Sequence, residues 1–402
     1  MTRFLMATIE EILEGKVTDV YFERAIEILN KEGLSGVNVV AEVHAYSMPK
    51  GYNWAVLLGV GEVAKLLEGK DVDVYSIPEG TLFRPIQPVM NIEGPYEAFC
   101  KYETAILGIL RHSTSIATKA ARCKMLAGDR SLLFFGTRAV HPLIAPIVDK
   151  AAYIGGCDGI SDTFGAEKLG LKPIGTMPHS LIVLFGDQVK AWKAFDSHMP
   201  EEVPRIALCD TWFDERVEAL LAAESLGSRL YGVRFDTPSS RKGNIRKIVE
   251  EARWALNLSG FGNVKIIVSG GVDEEVIAQL KDVVDGFGVG TAIAFPPSVD
   301  LSMDIVEVEG KPRSKKGKWP GKKNLYRCWN CFEDYVLAAG KEMKKCPKCG
   351  SSVEVMLKPV VLKGKVVYEE KTPHEVRDYV LKQLSLLKEA RLNVPLGGPA
   401  TS

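Results

Sequence analysis

Val264-Lys-Ile-Ile-Val268 runs straight into Ser269-Gly270-Gly271, and Gly286-Phe-Gly-Val289 runs into Gly290-Thr291. Each is a short apolar run that stops at glycine. Working back along the chain, the same grammar recurs in Leu132-Leu-Phe-Phe135 before Gly136-Thr137-Arg138 and in Tyr153-Ile154 leading to Asp158-Gly-Ile-Ser161. It continues in Pro173-Ile174 before Gly175-Thr-Met-Pro-His179, Ile206-Ala-Leu208 before Cys209-Asp-Thr211, and Tyr231-Gly-Val233 before Arg234-Phe-Asp236. The stretches between them include Phe213 to Leu226, with Val217, Leu220 and Leu221, and Gly243 to Leu256, with Ile245, Ile248, Val249 and Ala252. Apolar spacings of three and four predict helices packed on a sheet. Strands separated by helical crossovers run parallel, and continuous apolar strands are covered on both faces. Polar residues gathered at the strand C-terminal ends describe a TIM-like βα barrel, whose active site forms there. A doubly wound open sheet is the competing reading, but no Gly-x-Gly-x-x-Gly fingerprint opens the first unit.

The 402 residues suggest two or three domains. With 46% hydrophobic and 25% charged residues, the composition excludes disordered, collagen-like and coiled-coil classes. No apolar stretch reaches the roughly eighteen residues of a membrane span. The N-terminus meets Glu10-Glu11 before any sustained apolar region, so no secretory signal is expected and the predicted location is the cytoplasm. Up to about residue 105 the sequence predicts helices over Val20–Glu32 and Asn53–Glu68 and strands over Val37–Val43 and Val72–Tyr75. A long helix follows over Tyr96–Leu126. Beyond Pro296-Pro297, strand-like Met303–Val308, Met356–Leu362 and Lys365–Tyr368 suggest a return to this first domain.

Of eight cysteines, Cys100, Cys123, Cys157 and Cys209 stand alone, as small buried hydrophobes do. Cys328-x-x-Cys331 and Cys346-x-x-Cys349 can supply four thiolates to a structural zinc, with iron as the alternative. A module with so little core takes much of its folding free energy from the metal, on the order of 10 kcal/mol. The chain balances 51 Lys and Arg against 51 Asp and Glu, yet Gly310–Gly350 holds twelve basic and three acidic residues, a local charge of +9. With Trp319, Tyr326 and Trp329 interleaved, this segment reads as a single-stranded nucleic-acid surface, a flap over a phosphorylated ligand, or a solvated loop.

The glycine loops at Ser269-Gly270-Gly271 and Gly288-Val-Gly290-Thr291 let backbone N–H groups approach an anion, and loops after the last barrel strands are the usual phosphate site. Arg138, Asp158, Asp162, His179, Asp210, Arg234 and Asp236 complete a set of ionisable strand-end residues. Such a set suits an anionic substrate with acid, base or Mg²⁺ chemistry.

Taken in order, Phe135-Gly-Thr-Arg138, Gly155-Gly-Cys-Asp-Gly-Ile-Ser161, Gly175-Thr-Met-Pro-His-Ser180, Cys209-Asp-Thr211, Gly232-Val-Arg-Phe-Asp236, Val268-Ser-Gly-Gly271 and Gly286-Phe-Gly-Val-Gly-Thr291 resemble the motifs of the nicotinate phosphoribosyltransferases. The resemblance is to the archaeal type with a C-terminal zinc-binding insert, and Thr18-Asp-Val-Tyr21 resembles a further motif near the start. It implies an α/β sandwich domain (residues 1–110 with 298–325 and 352–402), an incomplete TIM-like βα barrel (111–297) and a zinc-ribbon module (326–351). The implied reaction joins nicotinate to phosphoribosyl pyrophosphate, coupled to ATP and assisted by Mg²⁺, in NAD biosynthesis. Homo-oligomers, dimeric or hexameric with active sites near subunit interfaces, are also implied.

By the resemblance, His179 accepts the ATP phosphoryl group. Phe135 and Arg138 hold the pyridine ring and its carboxylate, with Ser161 nearby and Tyr21 over the other face. Arg234 and Asp236 meet the ribosyl pyrophosphate, with Arg138, His179 and Asp236 as the catalytic set. Ser269, Gly270, Gly271, Gly288, Gly290 and Thr291 hold the 5′-phosphate. Two departures bear on substrate. Asp236-Thr-Pro-Ser239 lacks the second acid of many relatives, and Asp162 beside Ser161 suits an amide better than a carboxylate. Nicotinamide and quinolinate therefore stand as alternative substrates. A zinc-ribbon nucleic-acid binder on a barrel scaffold is a less favoured reading, because it has no need of His179, Arg138 and Asp236 together.

Overall fold

The computed structural model describes residues 5–238, 240–241 and 243–392. The ends of the expected sandwich domain and Ser239 lie outside the described residues. The chain divides into two compact units, Lys119–Pro296 and Met1–Thr118 with Pro297–Ser402.

The Lys119–Pro296 unit is built on six parallel strands: β1 (Ser131–Phe134), β2 (Gly159–Ile160), β3 (Arg205–Leu208), β4 (Leu230–Phe235), β5 (Lys265–Val268) and β6 (Gly286–Val289). Their order is β2-β1-β6-β5-β4-β3. The last strand returns to pair with the first, which a doubly wound sheet does not do. The curled sheet is an incomplete barrel, open between β2 and β3, with Phe134, Phe235 and Phe287 fully buried.

Two expected strands differ. Tyr153-Ile154 ends the helix Ala145–Ile154, continuing the buried spacing of Val148 and Ala151, and the strand is the two residues Gly159–Ile160. Pro173-Ile174 would fill the gap, but it adds a single backbone bond to β2, from the Ile174 N–H to the Ile160 carbonyl at 2.8 Å. Proline has no N–H to extend a ladder, and Pro173 and Pro178 bracket this stretch. The helix Ile245–Leu258 matches expectation, burying Ile245, Val249, Ala252 and Leu256, whereas Glu215–Leu226 forms as expected but buries Ala219, Ala222 and Ala223 and leaves Val217 exposed.

The other unit contains a seven-stranded antiparallel sheet in the order Lys311–Pro312, Leu301–Val308, Asn38–Ala45, Pro88–Pro95, Asp73–Ser76, Lys358–Leu362, Lys365–Val366. Ala41, Val43, Ile92 and Leu301 belong to the core beneath it. The predicted helix over Asn53–Glu68 is only Val60–Leu66, because Ala55–Val56 pairs as strand with Leu82–Phe83. Gly59, at φ 103°, starts the helix, and the Glu79 carboxylate accepts from the N–H groups of Gly59, Val60 and Gly61.

The basic segment does not stand free. Glu42, His44 and Asp304 are buried on this sheet, and Lys315 and Lys318 pair with Asp304 while Lys323 pairs with Glu42. Lys322 pairs with Glu93, and Lys348 with Glu333. Tyr326 is buried, and Trp329 is half-buried beside Phe332 and Tyr379, with its indole N–H donating to Glu354. Of the three aromatic residues expected to stack bases, Trp319 alone is well exposed, at 59%. The nucleic-acid reading loses its stacking platform.

The hairpin Lys323–Cys328/Glu333–Ala338 carries Arg327, which is 0% exposed. Arg327 donates to both Asp334 oxygens at 2.7 and 2.9 Å, to Gln383 Oε1 at 3.0 Å and to the Leu82 carbonyl at 2.5 Å. Removing one partner of a buried pair strands the other charge. Asp334→Ala is expected to lower the unfolding free energy of this unit by about 3–5 kcal/mol in urea denaturation, far more than Glu333→Ala at the exposed Lys348 pair.

Candidate active site

The C-terminal ends of the parallel strands surround a cavity of about 1390 Å³. Phe135 follows β1 directly and is held by its N–H donating to the Val289 carbonyl at 2.8 Å. Its ring lies over Gly288, where a Cβ would come within 2.5 Å of it. Only glycine at 288 leaves room for that aromatic wall. Arg138, on the same turn, lines the cavity, is exposed, and enters no ion pair among the described residues.

Arg234, near the end of β4, stands 5.8 Å from the Phe135 ring centre and donates to Asp236 Oδ2 at 3.4 Å. Its Nε is buried without a partner among the described residues, and burial pulls its pKa below the usual value. A desolvated cation with an unanswered donor suits an anionic ligand. Asp236 Oδ1 accepts from Ser269 Oγ at 2.7 Å, joining the end of β4 to the glycine loop after β5. Gly270 and Gly271 adopt φ of 75° and 66°, which side chains with a Cβ rarely take, and a Cβ at 270 would sit 2.9 Å from the Asp236 carbonyl. After β6, Gly290 precedes the short turn of helix Thr291–Ala294 with no side-chain cap.

His179 opens the helix His179–Phe185, and its Nε2 lies 2.9 Å from Asp210 Oδ1. The Asp210 side chain is buried, and its other oxygen accepts from the Asp236 N–H at 2.6 Å. Thr237 Oγ1 lies 3.3 Å from that oxygen and gives its one proton to Glu215 at 2.6 Å. One carboxylate thus sets both the histidine and the backbone beside Asp236.

Twelve of the expected site residues, Phe135, Arg138, Ser161, His179, Arg234, Asp236, Ser269, Gly270, Gly271, Gly288, Gly290 and Thr291, line this one cavity. Tyr21 belongs to the other unit, 57% exposed on the helix Val20–Lys31, with its hydroxyl donating to Asp19 at 3.5 Å. Asp158 does not join the site. It precedes β2 and accepts from the Leu132 N–H and Lys124 at the opposite strand ends. Asp162 lines the cavity, but its Oδ2 accepts from the Gly165 N–H at 2.8 Å as a helix cap. Asp210 is among the ionisable strand-end residues the sequence points to, but its hold on His179 spans 31 residues, which spacing does not reveal.

Family models of quinolinate phosphoribosyltransferase match both parts of the chain, the N-terminal domain over residues 19–114 and the C-terminal domain over 116–304. A crystal structure of nicotinate-nucleotide pyrophosphorylase from Pyrococcus furiosus is 53% identical, with a TM-score of 0.94 over 96% of this chain and 99% of that one. The chain belongs to the type II phosphoribosyltransferase family. Nicotinate phosphoribosyltransferase of Bacillus subtilis is 26% identical, over 92% of this chain and 89% of the relative. The human nicotinic acid phosphoribosyltransferase structure shares the family fold at 20% identity, with a TM-score of 0.72 over 92% and 93% of the two chains.

In the Met1–Thr118/Pro297–Ser402 unit, the sulfurs of Cys328, Cys331, Cys346 and Cys349 all lie within 4.8 Å of one another. Cys328 and Cys349 are 3.4 Å apart, and Cys331 and Cys346 3.6 Å. A tetrahedron with metal–sulfur bonds of about 2.3 Å has edges of about 3.8 Å. The four thiols fit a structural tetrahedral ion with no open position for substrate. The other four cysteines are buried. Cys331→Ser is expected to release the metal, read by elemental analysis, and to lower the melting temperature by on the order of 10 °C.

Proposed function

We propose that this chain transfers the phosphoribosyl group of phosphoribosyl pyrophosphate to nicotinate, giving nicotinate mononucleotide and pyrophosphate in NAD biosynthesis, with ATP hydrolysis coupled to the transfer. The observation that carries this reading is that, among the described residues, Arg138 is a guanidinium of the cavity that enters no ion pair. Arg138 is free to pair with one carboxylate, whereas Arg234 is tied to Asp236. Quinolinate, with two carboxylates, asks for a second clamp. Nicotinamide leaves Arg138 without a partner, and the acid that would favour the amide, Asp162, caps a helix instead.

Phe135 supplies the stacking face for the pyridine, and Ser161 lines the cavity on the neighbouring turn. The 5′-phosphate is assigned to the Ser269-Gly-Gly271 and Gly288-Val-Gly-Thr291 loops, where backbone N–H groups approach an anion closely. Arg234 faces the pyrophosphate, and the Asp236 carboxylate faces the ribose. Displacement at C1′ builds positive charge on the ribose ring and negative charge on the leaving pyrophosphate, so catalysis rests on alignment and anion stabilisation. Mg²⁺ would be held by pyrophosphate oxygens beside Asp236, neutralising the leaving group.

The His179–Asp210 contact supports the ATP step. An Nε2–H donated to Asp210 leaves the Nδ1 lone pair as nucleophile toward the γ-phosphorus. The P–N bond forms as the bond to the ADP oxygen breaks, and hydrolysis later frees phosphate. Zinc is the ion that suits the four thiols. Self-association is supported by Val183, Leu184 and Phe185, exposed at 56, 85 and 44% on the His179 helix, and by the exposed Tyr21 ring, available to a neighbouring copy. The buried thiols of Cys100, Cys123 and Cys209, none of them in a disulfide, are in keeping with work in the cytoplasm. Among the described residues no helix is long and apolar enough to cross a membrane.

Mass spectrometry of products from nicotinate, nicotinamide and quinolinate, each with and without ATP, tests the reading. Nucleotide from nicotinate alone, increased by ATP, is expected; preference for either other pyridine overturns it. Arg138→Ala is expected to raise the nicotinate KM about 100-fold with little change for phosphoribosyl pyrophosphate. His179→Ala is expected to abolish ATP hydrolysis while slow, uncoupled transfer persists, and an unchanged ATPase would refute its role.

A further inference from the structure

Asp162 caps a helix with one oxygen, and behind it stands a second acid that no sequence motif announces. Asp149, on the helix Ala145–Ile154, is 0% exposed. Its Oδ1 accepts from Thr137 Oγ1 at 3.4 Å. No N–H or hydroxyl donor reaches its Oδ2 among the described residues. That oxygen lies against Gly165, where a Cβ would sit 2.4 Å away, and the Asp162 carboxylate accepts from the N–H of the same glycine at 2.8 Å, so the two acids meet around Gly165.

Two carboxylates have only acceptors, so a hydrogen bond between them exists only when one carries a proton. Asp162 is the member favoured as the anion, since its Oδ2 accepts from the Gly165 N–H at the start of the helix Thr163–Lys168. The proton therefore resides on Asp149, whose carboxyl is pushed up to about 7 by burial and then by the Asp162 charge. Of the elements packed on Asp149, the turn after β1 contributes Thr137 and, farther out, exposed Arg138. The helix after β2 contributes Asp162 and Gly165, and the turn Thr291–Ala294 has no titratable group.

We propose that the proton shared by Asp149 and Asp162 fastens together the two turns that face the pyridine, making nicotinate binding depend on that proton. The chain from Thr137 through Asp149 and Asp162 to Gly165 ties the Arg138 turn to the Ser161 turn. Loss of the proton leaves two like charges side by side, which pushes the turns apart and places extra negative charge near the docking site of a carboxylate substrate. Asp149 does not line the cavity and acts as a positioning residue.

This inference rests on the nicotinate reading above. The test measures nicotinate KM and kcat of the full chain from pH 6 to 8.5, for wild type and Asp149→Asn. The amide donates the same bond to Asp162 without titrating, so the other ionisations of enzyme and substrates cancel in the comparison. Wild-type KM is expected to rise about tenfold across the range, while the variant's stays flat and the two kcat profiles run parallel. KM profiles that superimpose overturn the proposal.

Urea denaturation without substrate gives a second readout. Because Asp149 binds its proton more tightly folded than unfolded, the stabilisation is complete below about pH 4 and is lost as pH rises toward about 7. The wild-type midpoint is expected to fall relative to that of Asp149→Asn between pH 5 and 7.5; a constant difference refutes the shared proton even if nicotinate proves not to be the substrate. Absence of nucleotide product with a falling midpoint would retain the acid pair and remove the nicotinate reading. Should Asp149→Asn not fold, Asp162→Asn keeps a capping oxygen and removes the neighbouring charge; Asp149 still ionises there but meets no like charge, so the KM rise is expected to be smaller than that of wild type, and a wild-type slope in that variant counts against the proposal.

Discussion

The parallel ladder between β6 and β1, with Gly286 opposite Ser131 and Val289 opposite Phe134, turns a row of βα units into a ring. Without it the last two glycine loops and the Phe135-Gly-Thr-Arg138 turn would be far apart. The same ladder forces the Phe135 ring across β6, and Gly288 is the residue that permits it. Closure of the sheet and construction of the aromatic wall are therefore one steric requirement. The Asp236–Ser269 bond extends the arrangement by locking the end of β4 to the loop after β5.

Charge in this chain is organised by burial more than by sequence position. The basic run ahead of the cysteines looked like a surface for an external anion, yet much of it answers carboxylates of its own unit, Asp304, Glu42 and Glu93. Buried ion pairs of this kind add little net stability over apolar packing, but a mispaired arrangement would leave charges stranded. Their effect is to fix where the segment lies on the sheet. The cavity follows the opposite rule, since among the described residues Arg138 enters no ion pair and Arg234 has a donor unanswered.

Much of this was legible because barrel strands are short, continuously apolar and punctuated by glycine, and because most of these punctuation marks face the cavity. What was not legible has physical causes. Tyr153-Ile154 is apolar enough for a strand, but its spacing with Val148 and Ala151 gives it to a helix. Asp158 follows the same glycine-rich grammar as the site residues yet stands before its strand and so faces the wrong end. Asp210 and Asp149 act through contacts 31 and 12–13 residues away in sequence, on partners that no local period selects.

The opening between β2 and β3 gives the ring a mechanical property that a closed barrel lacks. In a closed barrel, parting any two adjacent strands breaks a whole ladder. Here the strand bearing Ser161 is joined to the segment leading toward His179 by the one backbone bond from Ile174 to Ile160. That seam is the compliant sector of the sheet, and it lies between the turn that carries Ser161 and the turn that carries Asp210. Movement of the histidine segment gives up that hydrogen bond and the packing of Ile174 on Gly159, while the glycine loops on β5 and β6 stay clamped by neighbours on both sides.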